Sequence, residues 1–145
     1  MAAKDIYHDA VKQALIKDGW VVTDEPLSLS LGFRSLFVDL GAEKIIVATK
    51  DNQRIAVEIK SFVGKSTITE LEKAIGQYML YDEALDQSET ESDRELFLAL
   101  PQDVVEELAE DRILPILTKR FKINLLVYSP TKQTIVQWMH PNTAS

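Results

Sequence analysis

Glu58 and Lys60 stand two residues apart inside IAVEIKSF, Ile55 to Phe62, an otherwise apolar stretch. Alternation along a strand points both to the side of Ala56, away from Ile55, Val57 and Ile59. If that side is covered, a carboxylate and an ammonium both lose hydration and must pair with each other, a metal ion or a phosphate. If it is open, they are ordinary solvated strand residues. Asp39, in FVDLG, has two roles available. Beside Gly41 it can serve turn chemistry by accepting local backbone hydrogen bonds, whereas a ligand role needs a second carboxylate. Gln77 and Tyr81 lie one helical turn apart and fit a helix boundary that meets solvent. His8, one turn into the first helix, reads as a core or boundary residue.

The elements that must position these groups follow from periodicity. A helix capped by Asp5 and running to about Asp18 buries Ile6, Ala10, Val11, Ala14 and Leu15, and Gly19 stops it. Trp20 to Thr23 and Leu27 to Leu31 read as strands, and SLFVDLGAEKIIVATK as a strand interrupted near Gly41. A turn centred near Asn52 makes a hairpin with IAVEIKSF and sets position 46 opposite Glu58. A long helix opens at Thr67, with Thr67 and Glu70 as a capping box and Ile68, Leu71, Ile75, Tyr78 and Met79 as its buried stripe. Asp82 to Glu95 reads as a mobile acidic loop. LFLAL, Leu96 to Leu100, suits a strand buried on both faces. A helix over Gln102 to Ala109 follows, then one over Arg112 to Arg120 with Pro115 in its first turn, then strands Ile123 to Ser129 and Thr134 to Met139. This order gives one domain over 1–145, an α/β sandwich around a mixed central sheet.

Composition narrows the chemistry. The chain of 145 residues is 46% hydrophobic and 8% aromatic, enough for a sizeable globular core. Without cysteine, it has no disulfide, thiolate site or cysteine nucleophile. The absence of a signal-like apolar block or membrane-length run leads to the expectation of a soluble, cytoplasmic protein without a membrane partner. The formal charge of −7 is concentrated: residues 82 to 112 hold 12 acids and 2 bases, whereas residues 113 to 145 hold 4 bases and no acid. Such a chain is poorly suited to grip DNA by bulk electrostatics, so DNA contact must be local or shared with a partner. The acidic block itself is either a solubilising face or a dock for a basic partner.

An acid in one strand, E-x-K nineteen residues later in the next, and a helix bearing Q-x-x-x-Y together resemble the PD-(D/E)xK, or restriction endonuclease-like, nuclease superfamily. Here these are Asp39, Glu58, Lys60, Gln77 and Tyr81. Val38 stands where the superfamily's name has a proline. More closely, AKDIYHDAVKQALIKDGW, VDLGAEK, IAVEIKSFVGKS and EKAIGQYMLY resemble the cyanobacterial fdxN element excision controlling factor family, XisH, along essentially the whole chain.

The resemblance implies a restriction endonuclease-like α/β/α sandwich and a site for Mg²⁺ or Mn²⁺ held by Asp39, Glu58 and the carbonyl of Ile59, hard oxygen ligands suited to these ions. It implies Lys60 as the residue that orients water or opposes phosphate charge, and Gln77 as support from the helix. Tyr81 would pack beneath, and His8 and Asp9 stand on the first helix, where some superfamily members place a further acidic or histidine ligand. It also implies an accessory factor in programmed excision of a DNA element, working with a companion excision factor and a site-specific recombinase. The basic residues outside the acidic block are scattered, so the chain alone is expected to bind DNA weakly, with a homo-oligomer as one way to double the contacts. The alternative is an active Mg-dependent DNA endonuclease that hydrolyses phosphodiester bonds.

Overall fold

The computed structural model describes residues 3–24, 30–31, 34–35, 45–50, 53–60, 62 and 66–141. Helix α1 (Ala3–Lys17) buries Ala10, Val11, Ala14 and Leu15, whose spacing puts them on one face. Asp5 lies within this helix and does not cap it, because the helix is already formed at Ala3. Its other end closes as expected at Gly19. With φ of +94°, Gly19 lets its own amide reach the carbonyl of Ile16 and that of Trp20 reach Leu15, a Schellman closure in which Trp20 and Leu15 share one apolar cluster.

Six strands form the main sheet in the order β1 (Val21–Asp24), β4 (Ile45–Lys50), β5 (Gln53–Ile59), β6 (Glu95–Pro101), β7 (Leu125–Ser129), β8 (Thr134–Met139). A separate ribbon pairs β2 (Ser30–Leu31) with β3 (Arg34–Ser35). Among the described residues only the β5–β6 and β6–β7 pairs are parallel. Parallel neighbours need crossover connections, and helices supply both. Helix α2 (Thr67–Gln87) joins β5 to β6, while α3 (Gln102–Glu110) and a π-helical turn (Ile116–Arg120) join β6 to β7. The sheet is covered on both faces. Trp20 and α1 pack on Ile55, Val57, Ile59, Phe97, Ala99, Leu126 and Tyr128, whereas α2, α3 and the π-helical turn pack on Ala56, Leu96, Leu98, Leu100 and Leu125. Among the described residues no helix is long and apolar enough to cross a membrane.

Several boundaries differ from the expectation, each for a local reason. Glu58 pairs with Ile45, not with position 46, because Lys50 pairs directly with Gln53 and leaves two residues between them. The cap of α2 is Ser66, whose hydroxyl accepts from the amide of Thr69, and not Thr67, whose hydroxyl donates to Glu107. The buried stripe of α2 is Leu71, Ala74, Tyr78, Tyr81, Ala84 and Leu85; Ile68 and Met79 are exposed. The sheet admits Ala74 and Ala84, small residues that a reading weighted towards bulky side chains passes over. Arg112, at φ of +62°, separates α3 from the next helical turn, which therefore starts at Leu114 instead of Arg112. Strand β7 starts at Leu125, two residues later than expected, although Ile123 is buried.

The acidic segment also departs from a mobile loop. Helix α2 continues through Asp82 to Gln87, held by the buried Ala84 and Leu85, and the next turn is fixed by ionic hydrogen bonds. Arg54 donates to Asp93, to Glu91 at 3.1 Å and to the carbonyl of Thr90 at 3.2 Å. Arg94 donates to Glu91 and, at 3.2 Å, to the carbonyl of Ile55. Part of the acidity thus neutralises internal guanidinium groups.

Candidate functional site

Strand β5 is buried from Ile55 onward, so its polar residues cannot all be solvated. Ile55, Val57 and Ile59 belong to the cluster under α1, and Ala56 to the cluster under α2. Alternation sends Glu58 to the α2 side. Its charge is felt there by Tyr78 of α2. Glu58 is 0% exposed, and Lys60, just past the last paired residue of the strand, is 4% exposed. Of the two alternatives posed by E-x-K, the covered one holds. Two ionisable groups are kept out of water at the end of a central strand, an arrangement costly enough to need strong polar compensation. Two residues on, Phe62 has φ of +53° and packs against the α2 cluster.

Tyr78 fastens this layer. Its hydroxyl donates to the carbonyl of Leu96 at 3.1 Å and accepts from the amide of Asn124 at 3.2 Å, tying α2 to β6 and to the approach to β7. Burial pushes the phenol well above its ordinary range; the hydrogen bond from Asn124 pulls the other way, and the charges of Asp82, Glu58 and Glu95 push further up. Tyr78→Phe leaves the Asn124 amide without that acceptor, whereas the Leu96 carbonyl keeps the side-chain amide of Asn124 at 3.0 Å. The expected loss is about 1–3 kcal/mol in urea unfolding.

The remaining sequence candidates are distributed as follows. Tyr81 is buried on the sheet side of α2 and Gln77 is half-buried on the same helix, so this part of α2 faces protein more than a solvent boundary would. The side chain of Ile59 lies in the α1 cluster, and its carbonyl belongs to the end of β5. His8 is half-buried on α1, the helix on the opposite face of the sheet from α2. Asp39 lies outside the described residues. Glu58 and the Ile59 carbonyl are hard oxygen donors, matching Mg²⁺ or Mn²⁺ and unsuited to softer ions; a complete site would need Asp39 beside them.

Arg94 escaped the sequence reading. The available signal was a base within an acidic run, immediately before Glu95 and the apolar LFLAL. A base placed there has carboxylates at hand and a buried strand to enter.

The family model described as XisH protein matches residues 1–136. A solved structure of an fdxN element excision controlling factor protein from Anabaena variabilis is 38% identical, with a TM-score of 0.83, covering 94% of this chain and 99% of its own. A solved XisH family protein from Nostoc punctiforme PCC 73102 is 31% identical, also at a TM-score of 0.83, covering 94% of this chain and 100% of its own. Among curated proteins nothing matches.

Proposed function

The chain belongs to the XisH family, and from that premise we propose that it is an accessory factor controlling the excision of a DNA element by a site-specific recombinase. The observation that carries this reading is the likeness over nearly the whole of both chains to a protein named as an fdxN element excision controlling factor. The charge of −7 supports a factor that shares its DNA contacts with a companion excision factor instead of gripping duplex alone. We assign it a restriction endonuclease-like sandwich. The mixed sheet covered by helices on both faces, with E-x-K at the end of a central strand, supports that placement.

In this reading Asp39, Glu58 and the Ile59 carbonyl hold Mg²⁺ or Mn²⁺. A divalent cation, when bound, supplies Lewis-acid stabilisation of phosphate charge. Lys60 adds its ammonium from a dry position, where opposing a phosphate is worth more than in water. Gln77 steadies the site from α2, and Tyr81 packs beneath it.

A second reading, metal-dependent cleavage of DNA, is favoured by one observation, the burial of both Glu58 and Lys60. Reconstituted excision, with recombinase and companion factor, separates the two. The accessory role expects excision to require this chain, with no cleavage of plasmid in Mg²⁺ by the chain alone. Plasmid cleavage that falls about 100-fold or more in Lys60→Ala would establish the nuclease reading in its place.

A further inference from the structure

A cavity of about 770 Å³ opens at the other end of β5 from Glu58, where Gln53, Arg54 and Ile55 begin the strand. Its apolar walls are Ile55 and three aromatic rings. Trp20 and Trp138 have ring centroids 5.8 Å apart at 47°, and Phe97 meets Trp138 edge-on at 4.9 Å and His140 at 5.4 Å. The cations at its rim are already engaged. Lys50 reaches the carbonyl of Asp18 at 2.6 Å and its carboxylate at 3.6 Å, and Arg54 is held by Asp93, Glu91 and Thr90. Glu95 is placed differently. Its side chain is 50% exposed, and its described neighbours are His140 Nδ1 at 3.3 Å, charged only when protonated, and the Asn124 amide at 3.4 Å.

An exposed carboxylate at the lip of an aromatic cavity, in a chain of charge −7, selects for a flat cation. Guanidinium meets both demands: its face stacks on indole and its fork matches a carboxylate. An ammonium would answer the charge without the planar fork. A nucleotide base would stack, but its phosphate would meet the Glu95 carboxylate, and the rim cations Lys50 and Arg54 are already paired with Asp18 and Asp93. We propose that this cavity receives an arginine side chain presented by a basic protein partner. The site goes beyond the excision role and is independent of any metal at Glu58.

The two tryptophans of the chain both line the cavity, so two indole N–H resonances report on it. The experiment titrates ¹⁵N-labelled full-length protein at low salt with a blocked Gly-Arg-Gly peptide. Its citrulline and lysine counterparts and adenosine monophosphate are run beside it. Arginine is expected to shift an indole resonance saturably with a Kd on the order of millimolar, as fits one side chain. Citrulline should bind at least about tenfold more weakly, and lysine more weakly than arginine. Glu95→Gln, at a half-exposed position, should keep the wild-type melting temperature and weaken arginine about fivefold or more. The proposal is overturned by no saturable shift, by equal responses to citrulline and arginine, by undiminished arginine binding in Glu95→Gln, or by a response to adenosine monophosphate with none to arginine.

Discussion

Arg94→Ala is expected to lower the unfolding free energy by about 3–5 kcal/mol, the cost typical of breaking a buried ion pair. The Arg94 side chain is 4% exposed and bridges two distant parts of the chain, the Glu91 carboxylate in the turn after α2 and the carbonyl of Ile55 at the start of the buried part of β5. Glu91 takes a second guanidinium, that of Arg54, so it acts as the centre of a cross-link between the β4–β5 hairpin and the α2–β6 connection. Removing Arg94 strips a partner from Glu91 and from Ile55 and leaves a void where the guanidinium packed. By contrast, the Lys73–Glu70 pair on the outer face of α2, at 3.9 Å, should be worth no more than about 0.5 kcal/mol. Urea unfolding of Arg94→Ala and of Lys73→Ala tests the ranking. A loss below about 1 kcal/mol for Arg94→Ala would mean that the network is an incidental surface feature. Replacing Glu91 and Arg94 together by Leu and Met should recover part of the loss, because an apolar pair of similar volume needs no charge compensation.

The second large effect concerns metal. Mn²⁺ or Mg²⁺ at ten times its dissociation constant should stabilise the fold by about 1.4 kcal/mol, since a ligand selective for the folded state acts by mass action. For a domain of this size that is a rise of about 3–6 °C in melting temperature. Glu58→Gln should abolish the rise. Glutamine keeps the volume of the fully buried side chain and removes its charge, so the variant is expected to fold. Asp39→Ala should abolish the rise as well if the two carboxylates share an ion. A melting temperature that climbs equally in wild type and Glu58→Gln would place any metal elsewhere. The readout is stability, so the outcome does not depend on whether the chain cleaves DNA.

Family, element order and the chemical identity of the candidate groups were legible in the residues themselves. The apolar repeat of Ala10, Val11, Ala14 and Leu15 marks a helix because neighbours three and four apart share a face whatever else the chain does. Gly19 marks its end because the required positive φ is a local property. LFLAL marks a central strand because an unbroken apolar run has nowhere to go but a doubly covered sheet. E-x-K likewise announces a carboxylate and an amine side by side, and that much is covalent.

Whether that pair meets water was decided only by tertiary structure. The same tripeptide on an edge strand would be solvated; here it lies in a central strand and Glu58 is 0% exposed. The pairing of Glu58 with Ile45 depends on the length of a connection, and one residue more or less would turn every side chain of the strand to the other face. Ala74 and Ala84 become core positions because of what packs on them, not because of their own hydrophobicity. The acidic run from Asp82 onward has the composition of a solvated loop, yet Glu91 and Asp93 are held by Arg54, whose partners lie 37 and 39 residues away. Trp20, Phe97 and Trp138 come from three separated parts of the chain. Local propensity is set by a few successive residues, whereas burial, register and ion pairing are properties of residues that meet only after the chain has folded.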